Sequence, residues 1–503
     1  MSIRSVFFRA AAVILGMGCV SSQPSAGNGS SSETRWYLTN VTVLDGTGAA
    51  PRAGMTIVIS AQRIVDIVPS DGRPPTSDGT VVDGHGRFVM AGLWDSHVHA
   101  LNNDADVQLY IAMGVTGVRY MWGFPEMHVW RSEIDAGKRL GPRSLIASPI
   151  FDGVPVFHTG SVGISNEAEA RTAVRQAKSE GADFIKVYSF LTPANYSAIS
   201  DEASKLGLPV AGHIPDLVPA GTASAAGLRT AEHLYGIPEA TSSREADARG
   251  LLAAALEDWS KLASPTPAER AAFLRRREAA TLLAARSYDE SKASALFQQL
   301  KDNGTWQTPT LTVLRATGLL DGKVGDANGL RYVPPRLLAF WEGFIANFRA
   351  SHGEQGVAEA KELYELQLRL TGAMHRAGVG LLAGTDVVNP YCIAGFGLHD
   401  ELELLVQAGL TPMAALQTAT VNPARAFGLS DSMGTVTAGK VADFVVLDAN
   451  PLDDIRNTRS IDAVVVRGRL ISHEERQKIL ADVEARVHAP ADAGTSPQEH
   501  EGP

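Results

Sequence analysis

"ADFIKVYSF", residues 182–190, has the form of a short buried strand, with a lysine, Lys186, at its centre. Burying an isolated ammonium in an apolar run costs on the order of several kcal/mol unless something pairs or neutralises it. The stretch lies between two segments of helical period, "NEAEARTAVRQAKSEG" (166–181) and "TPANYSAISDEASKLG" (192–207), and a second apolar run, "LPVAGHIP" (208–215), follows directly. Apolar runs alternating with amphipathic helices are the pattern of a parallel sheet covered by helices.

The alternation extends in both directions. "RFVMAGLWDSHVH", "VTGVRYM" and "PRSLIASPIF" precede it, and "LRTAEHL", "TWQTPTL" and "VGLLAGTD" follow it, so that eight candidate strands lie between residues 89 and 428. That count and spacing predict a (β/α)8 barrel, with a doubly wound sheet as the competing architecture. Residues 239–303, rich in Ala, Glu, Arg and Leu, read as a helical insertion between two strands. On either side the texture changes. Residues 35–88 ("WYLTNVTVLD" and its successors) and 429–474 ("GTVTAGKVADFVVLDANP", "SIDAVVVRGRLIS") are short β-branched runs cut by Gly, Pro and Asp. Two such pieces flanking a barrel predict one small β-sandwich domain built from both ends of the chain. Residues 475–503 read as a C-terminal tail.

The chain has 503 residues, 45% hydrophobic and 20% charged, which gives it ample core for a globular protein. A net charge of −10 without a long basic stretch argues against nucleic acid as a partner. Residues 1–34 read as a secretory signal followed by a flexible tether: Arg4 and Arg9 precede a short apolar run, and "SSQPSAGNGSSSET" comes after it. Cys19 closes "LGMGC", similar to a lipoprotein cleavage box, although Gly16 and Met17 depart from it. Export is therefore expected, to the periplasm or outside the cell of a bacterium, with a membrane tether through lipidated Cys19 or plain secretion as the two outcomes. Cys392 is the only other cysteine, so no disulfide framework is expected.

In a parallel barrel, functional side chains gather at the C-terminal ends of the strands. The first such end carries His97 and His99, whose spacing of two puts both imidazoles on one face of a strand. The fourth carries Lys186, the fifth His213, the sixth His233 and the eighth Asp386. Singly, each has an ordinary explanation: a surface pair, a satisfied core histidine, a turn-capping aspartate. Five strand ends with a possible ligand, in coherent order, point to a metal site.

"GRFVMAGLWDSHVHA", Lys186, His213, His233, "LAGTD" and "GKVADFVVLDANPL" together resemble the metal-dependent amidohydrolase superfamily, and within it the imidazolonepropionase-like group that includes Xaa-Pro dipeptidases. The resemblance runs from about residue 35 to 475. Ala91 stands where a proline is common and Trp94 where an aliphatic residue is usual, and neither is a ligand position. The resemblance implies two divalent metal ions, Zn(2+) by ligand type with Mn or Co as other occupants, and N6-carboxylation of Lys186 to a carbamate that bridges them. His97, His99 and Asp386 would hold one ion, and His213 and His233 the other. It further implies attack of an activated water on a C–N bond, with Asp386 as the catalytic proton carrier. A lysine desolvated inside a barrel has a lowered pKa and is available as the neutral amine that carboxylation requires.

The expected substrate is a small amide, a dipeptide or an N-acyl amino acid. Cyclic-amide hydrolysis, and a mononuclear deaminase or imidazolone hydrolase, are the alternatives, and a scaffold on an inactive barrel is disfavoured because all six ligand positions are filled. Tyr188 and Tyr235, each two residues beyond a ligand, are expected to share its face and bind substrate. His158, in "HTGSVG", resembles a substrate-contacting loop histidine, and Arg119 and Trp122 are weaker candidates. Oligomeric state is left open.

Overall fold

The computed structural model describes residues 35–71, 79–99, 104–323 and 325–489. The expected leader, tether and Cys19 lie outside the described residues, as does the end of the tail. Among the described residues, no helix is long and apolar enough to cross a membrane.

Among the described residues, sixteen strands, numbered in chain order, form two sheets. The first holds β1 (Arg35–Val43), β2 (Arg52–Ser60), β3 (Arg63–Pro69), β4 (Thr80–Asp83) and β5 (Phe88–Ala91). The second holds β6 (Leu93–Val98), β7 (Val115–Tyr120), β8 (Arg143–Asp152), β9 (Val162–Gly163), β10 (Phe184–Val187), β11 (Val210–Gly212), β12 (Leu228–Glu232) and β13 (Trp306–Thr308). The chain then returns to the first sheet with β14 (Phe444–Leu447), β15 (Ile461–Val466) and β16 (Arg469–Ile471).

The second sheet is parallel in the order β13-β12-β11-β10-β8-β7-β6, with β9 beside β8. Closure comes from "VGLLAGTD", which forms no strand of its own but bridges both edges, Leu381 to Gln307 and Val387 to Val98. Backbone bonds from Leu382 N to Gln307 O (2.9 Å) and from Ser96 N to Ala383 O (2.9 Å) fix it there. All eight expected barrel segments are therefore in the wall. The eighth is irregular because it bends sharply at Asp386, which has φ +57°.

The other sheet runs β16-β15-β14-β5-β1-β2-β3, with β4 off the path beside β1. Strict alternation lets its middle strands serve two cores at once. Phe444 and Val446 of β14, Ala463 and Val465 of β15, and Val89 and Ala91 of β5 pack into a core internal to this domain. Val445 and Leu447, Val464 and Val466, and Met90 face the large core shared with the barrel. The β domain built from both chain ends is thus bound to the barrel by one face of its own sheet.

Trp94 is accommodated at a cost in neighbour choice. A Cβ on Gly117 of the adjacent strand would lie 2.1 Å from Trp94 Cε2, so glycine is required where the indole crosses the wall. Helices Ile237–Ala240, Glu245–Ser260, Pro267–Arg286 and Glu290–Asp302 occupy the segment between β12 and β13. The stretch from 475, read as a tail, instead continues a helix, His473–Val487. Ser472 caps it through Glu475 N, Leu480 and Val483 bury its apolar stripe, and Arg476 Nε donates to Ala112 O (2.6 Å).

Candidate metal centre

Alternation along β10 answers what Lys186 is doing in an apolar strand. Ile185 and Val187 point outward into the helix-facing core, while Phe184 points inward among Met121, Ala147 and Ala211. Lys186 shares the inward face one step higher and is 1% exposed. Burial lowers its pKa to about 8, against the opposing pull of the Glu232 and Asp386 carboxylates. About a tenth of the amine is then neutral at pH 7, far more than for an unperturbed lysine.

His97, His99 and Asp386 each offer a ligand atom, and these atoms lie within 4.8 Å of one another. His97 Nε2 and His99 Nε2 approach Asp386 Oδ1 to 3.2 and 3.1 Å. The alignment is not that of a hydrogen bond, and His97 Nε2 and Asp386 Oδ1 are buried without a partner of that kind. Converging donors left unsatisfied in a buried place fit a divalent cation. Asp386 is ionised: burial pushes its pKa up, but the imidazoles of His233 and His97 beside it outweigh this and hold it well below the usual carboxylate range. Gly384 makes the approach possible, since a Cβ there would meet His97 Cβ at 2.8 Å.

His213 and His233 stand beside this set, with ring centroids 5.0 Å apart and the His233 ring 4.5 Å from that of His97. They are adjacent to the three-residue cluster but outside its 4.8 Å limit. Each is oriented by a hydroxyl. His213 Nδ1 shares a 2.9 Å hydrogen bond with Ser189 Oγ. Thr310 Oγ1 donates to Pro309 O (2.7 Å) and so accepts from His233 Nδ1 (2.7 Å), which leaves the His233 Nε2 lone pair free for a ligand role. Burial drives the His213 pKa well below its ordinary value, lowers that of His99, and lowers that of His233 to about 3. These three rings are neutral at physiological pH, the state that binds metal.

Under the ligands lies a polar layer that strand-end reasoning did not reveal. Glu232 Oε2 accepts from His97 Nδ1 (2.8 Å), and its Oε1 accepts from Arg119 Nη2 (2.8 Å). Arg119 also donates to Thr230 Oγ1 (2.8 Å) and Ser96 O (2.6 Å). The Glu232 carboxyl is held below its ordinary range: burial opposes ionisation, but Arg119 and His97 prevail. Arg119 is therefore no rim residue; inside β7 it is the counter-ion of a buried carboxylate. Asp95 similarly accepts from Thr385 Oγ1 (2.7 Å) and Thr385 N (3.1 Å), tying the first strand to the eighth segment. The available signal was the period of two, which puts Thr230 and Glu232 on one barrel face.

Tyr188, Tyr235 and His158 all border the centre, Tyr235 not because of strand alternation. β12 ends at Glu232, and His233 and Leu234 both take left-handed φ of +60°, so the turn, not a pleat, aims Tyr235. Its ring lies 4.6 Å from His213, and that of Tyr188 lies 4.0 Å from the same imidazole. Tyr188 Oη is 2.8 Å from His158 Nε2. Burial lowers the His158 pKa to about 4 and raises that of Tyr188 well above its ordinary value, so both are neutral hydrogen-bonding groups. Asp152, which accepts from Phe157 N (3.2 Å) and Phe190 N (2.8 Å), pins the His158 loop to the loop after β10. Trp122 contacts His158 with ring centroids 5.9 Å apart.

The closed parallel barrel thus brings two histidines at the end of its first strand and an aspartate of its eighth segment to one place. Residues 354–471 match the model of the amidohydrolase family. The fold is shared with bottromycin amidohydrolase at a TM-score of 0.70 and 22% identity, over 93% of each chain. It is also shared with a Xaa-Pro dipeptidase solved with bound methionine, at 0.60 and 19% identity, over 87% of this chain and 100% of that one. An adenine deaminase of Roseobacter denitrificans is 26% identical over 172 residues, 30% of this chain and only 28% of the deaminase's own length. Residues 354–471, less than a quarter of the chain, thus resemble the amidohydrolase family, and the fold as a whole is the one these solved structures share.

Proposed function

We propose that the protein is a metal-dependent hydrolase of a C–N bond, acting on dipeptides or N-acyl amino acids. The observation that carries this reading is the convergence of His97, His99 and Asp386 at the mouth of a barrel that also buries Lys186. Divalent ions bound there, Zn(2+) by the nitrogen and oxygen donor set, would supply Lewis-acid polarisation of the carbonyl and a more acidic water.

His97, His99 and Asp386 would hold one ion, and His213 and His233 the second. In its neutral form, Lys186 Nζ would add to the carbon of CO2, forming an N–C bond and releasing one proton to solvent, and the carbamate's negative charge would suit the divalent ions those residues would hold. The convergence of His97, His99 and Asp386, the His213 and His233 rings beside them, and the depressed lysine pKa of about 8 support that arrangement. Asp386 then accepts the proton of the attacking water and delivers it to the leaving nitrogen as the C–N bond breaks. Tyr188, Tyr235 and His158 are neutral groups placed to hydrogen-bond the substrate's carbonyl oxygen or carboxylate. Export, and a membrane tether at Cys19, belong to the same proposal.

A deaminase with one ion is the second reading, favoured by the tightness of the three-residue cluster relative to His213 and His233, and by the adenine deaminase resemblance. The test is the zinc-loaded protein against dipeptides, N-acyl amino acids, lactams and adenine. Release of an amino acid from the first two groups is expected. Release of ammonia from adenine, with the amides untouched, would replace this reading by the second.

A further inference from the structure

A cavity of about 780 Å³ opens beside the centre, bounded by His233 and Tyr235 on the barrel and by helices Glu245–Ser260, Pro267–Arg286 and Pro335–Ala377. Part of its wall is apolar, with Leu251, Leu274, Leu314, Phe348 and Leu363, and charged side chains such as Glu278, Arg286 and Glu359 line the rest. Leu251, Leu274 and Tyr235 are among the few large hydrophobic side chains the protein exposes, and all three line this one space. Exposed apolar surface gathered in a concavity marks a binding site.

A cation stands where the apolar wall meets the reaction centre. The Arg277 guanidinium lies 5.5 Å from the centroid of the Tyr235 ring, which in turn contacts His213 and His233. Its Nε and Nη2 donate to Asp216 Oδ2 and Oδ1, both at 2.8 Å, while Nη1 takes no part in that pair. Asp216 follows His213 by three residues, so the loop that carries a candidate ligand also fixes the arginine's direction. Arg277 is not the only link between the inserted helices and the barrel. Trp259 Nε1 donates to Pro155 O (2.8 Å) and Arg270 donates to Phe157 O, and both anchor the insertion to the barrel mouth.

In an N-acyl amino acid, the carboxylate and the side chain branch from the carbon next to the leaving nitrogen, so both fall on the same side of the scissile bond. Here the cation and the leucine-rich wall lie on one side of the centre. We propose that Arg277 is a specificity-determining residue that receives the carboxylate of the leaving amino acid, and that the cavity takes its side chain. The substrates are then N-acyl or N-aminoacyl derivatives of apolar amino acids. This rests on the amide-hydrolase reading above and narrows it.

The test compares N-acetyl-leucine and N-acetyl-phenylalanine with N-acetyl-glycine and with the carboxamide of each, using the metal-loaded wild type, Arg277→Gln and Arg277→Lys. Wild type should favour free acid over carboxamide by about ten- to hundredfold in kcat/KM, the span of a charge-assisted hydrogen bond. It should favour leucine and phenylalanine over glycine by roughly tenfold or more. R277Q should lose the acid preference through KM, the free acids losing far more than the carboxamides, and R277K should restore part of it. Calorimetric binding of L-phenylalanine against phenylalaninamide gives the same comparison without turnover. Equal loss on acids and carboxamides in R277Q, or no acid preference in wild type, overturns the inference and leaves the amide-hydrolase reading standing. No hydrolysis of any amide, with no selective binding of the free acid, overturns both.

Discussion

Glu232 divides its two oxygens between His97 Nδ1 and Arg119 Nη2, each at 2.8 Å, and is itself fully enclosed. Through this carboxylate, a candidate metal ligand on the first strand, an arginine on the second and the residue before His233 on the sixth form one unit. The orientation of the His97 ring, and the availability of its Nε2 lone pair, follow from that bond.

Substitution at Glu232 therefore reports on the metal. E232Q keeps the shape and removes the charge that fixes the His97 tautomer, and metal affinity should fall by about ten- to hundredfold. Competition with a chelator of known affinity measures this. Unchanged affinity would mean that the bond serves packing alone.

Arg119 should behave differently from Glu232. Arg119→Met leaves a buried carboxylate without its counter-ion, and the expected loss is about 3–5 kcal/mol of folding stability. In the double variant R119M/E232Q much of that loss should return, because the uncompensated charge has gone. Urea unfolding of the four proteins completes the cycle.

Trp94 and Gly117 form a steric pair. With Gly117→Ala, the added methyl meets the indole at 2.1 Å, and the destabilisation should be about 1–3 kcal/mol or more. Gly117→Ala combined with Trp94→Leu should be milder than G117A alone, read as the shift in Tm.

Glu401 carries a pH signature. Burial raises its pKa to about 8 from 4.5, even though Leu311 N (3.0 Å), Thr312 N (2.8 Å) and Thr312 Oγ1 (2.8 Å) all donate to it. The folded state then holds a proton that the unfolded state has released. This contribution to stability is fully present below about pH 4.5 and is lost as pH rises through about 8. E401Q should flatten that part of the Tm–pH curve. An identical slope in both proteins would show the carboxyl to be ionised in the fold.

The barrel was legible because each of its segments carries a local pattern: an apolar run, a helix and a polar residue at the strand's end. Lys186 was legible as an anomaly, one charge among Phe184, Ile185 and Val187, and the structure gives it the inward face that alternation predicts. Glu232 and Arg119 were not legible as a pair, because each is one charged residue near a strand end and only the closed barrel sets them 2.8 Å apart. The direction of Tyr235 was not legible from strand pleating, since left-handed turns at His233 and Leu234 set it. Arg277 lies 61 residues from Asp216 in a helix of unremarkable composition, and no local pattern announces such a partner. The helix at His473–Val487 was hidden by the polar end of the chain that follows it.

The most direct measurement is metal content by elemental analysis, on protein expressed with zinc and bicarbonate, for wild type, Lys186→Ala and His97→Ala/His99→Ala. The account predicts about two ions per chain in wild type, a sharp fall in K186A, and a larger one in the double histidine variant. One ion, retained in K186A, would contradict the bridging role of the lysine, and no ion in the wild type would contradict the metal-dependent hydrolase itself.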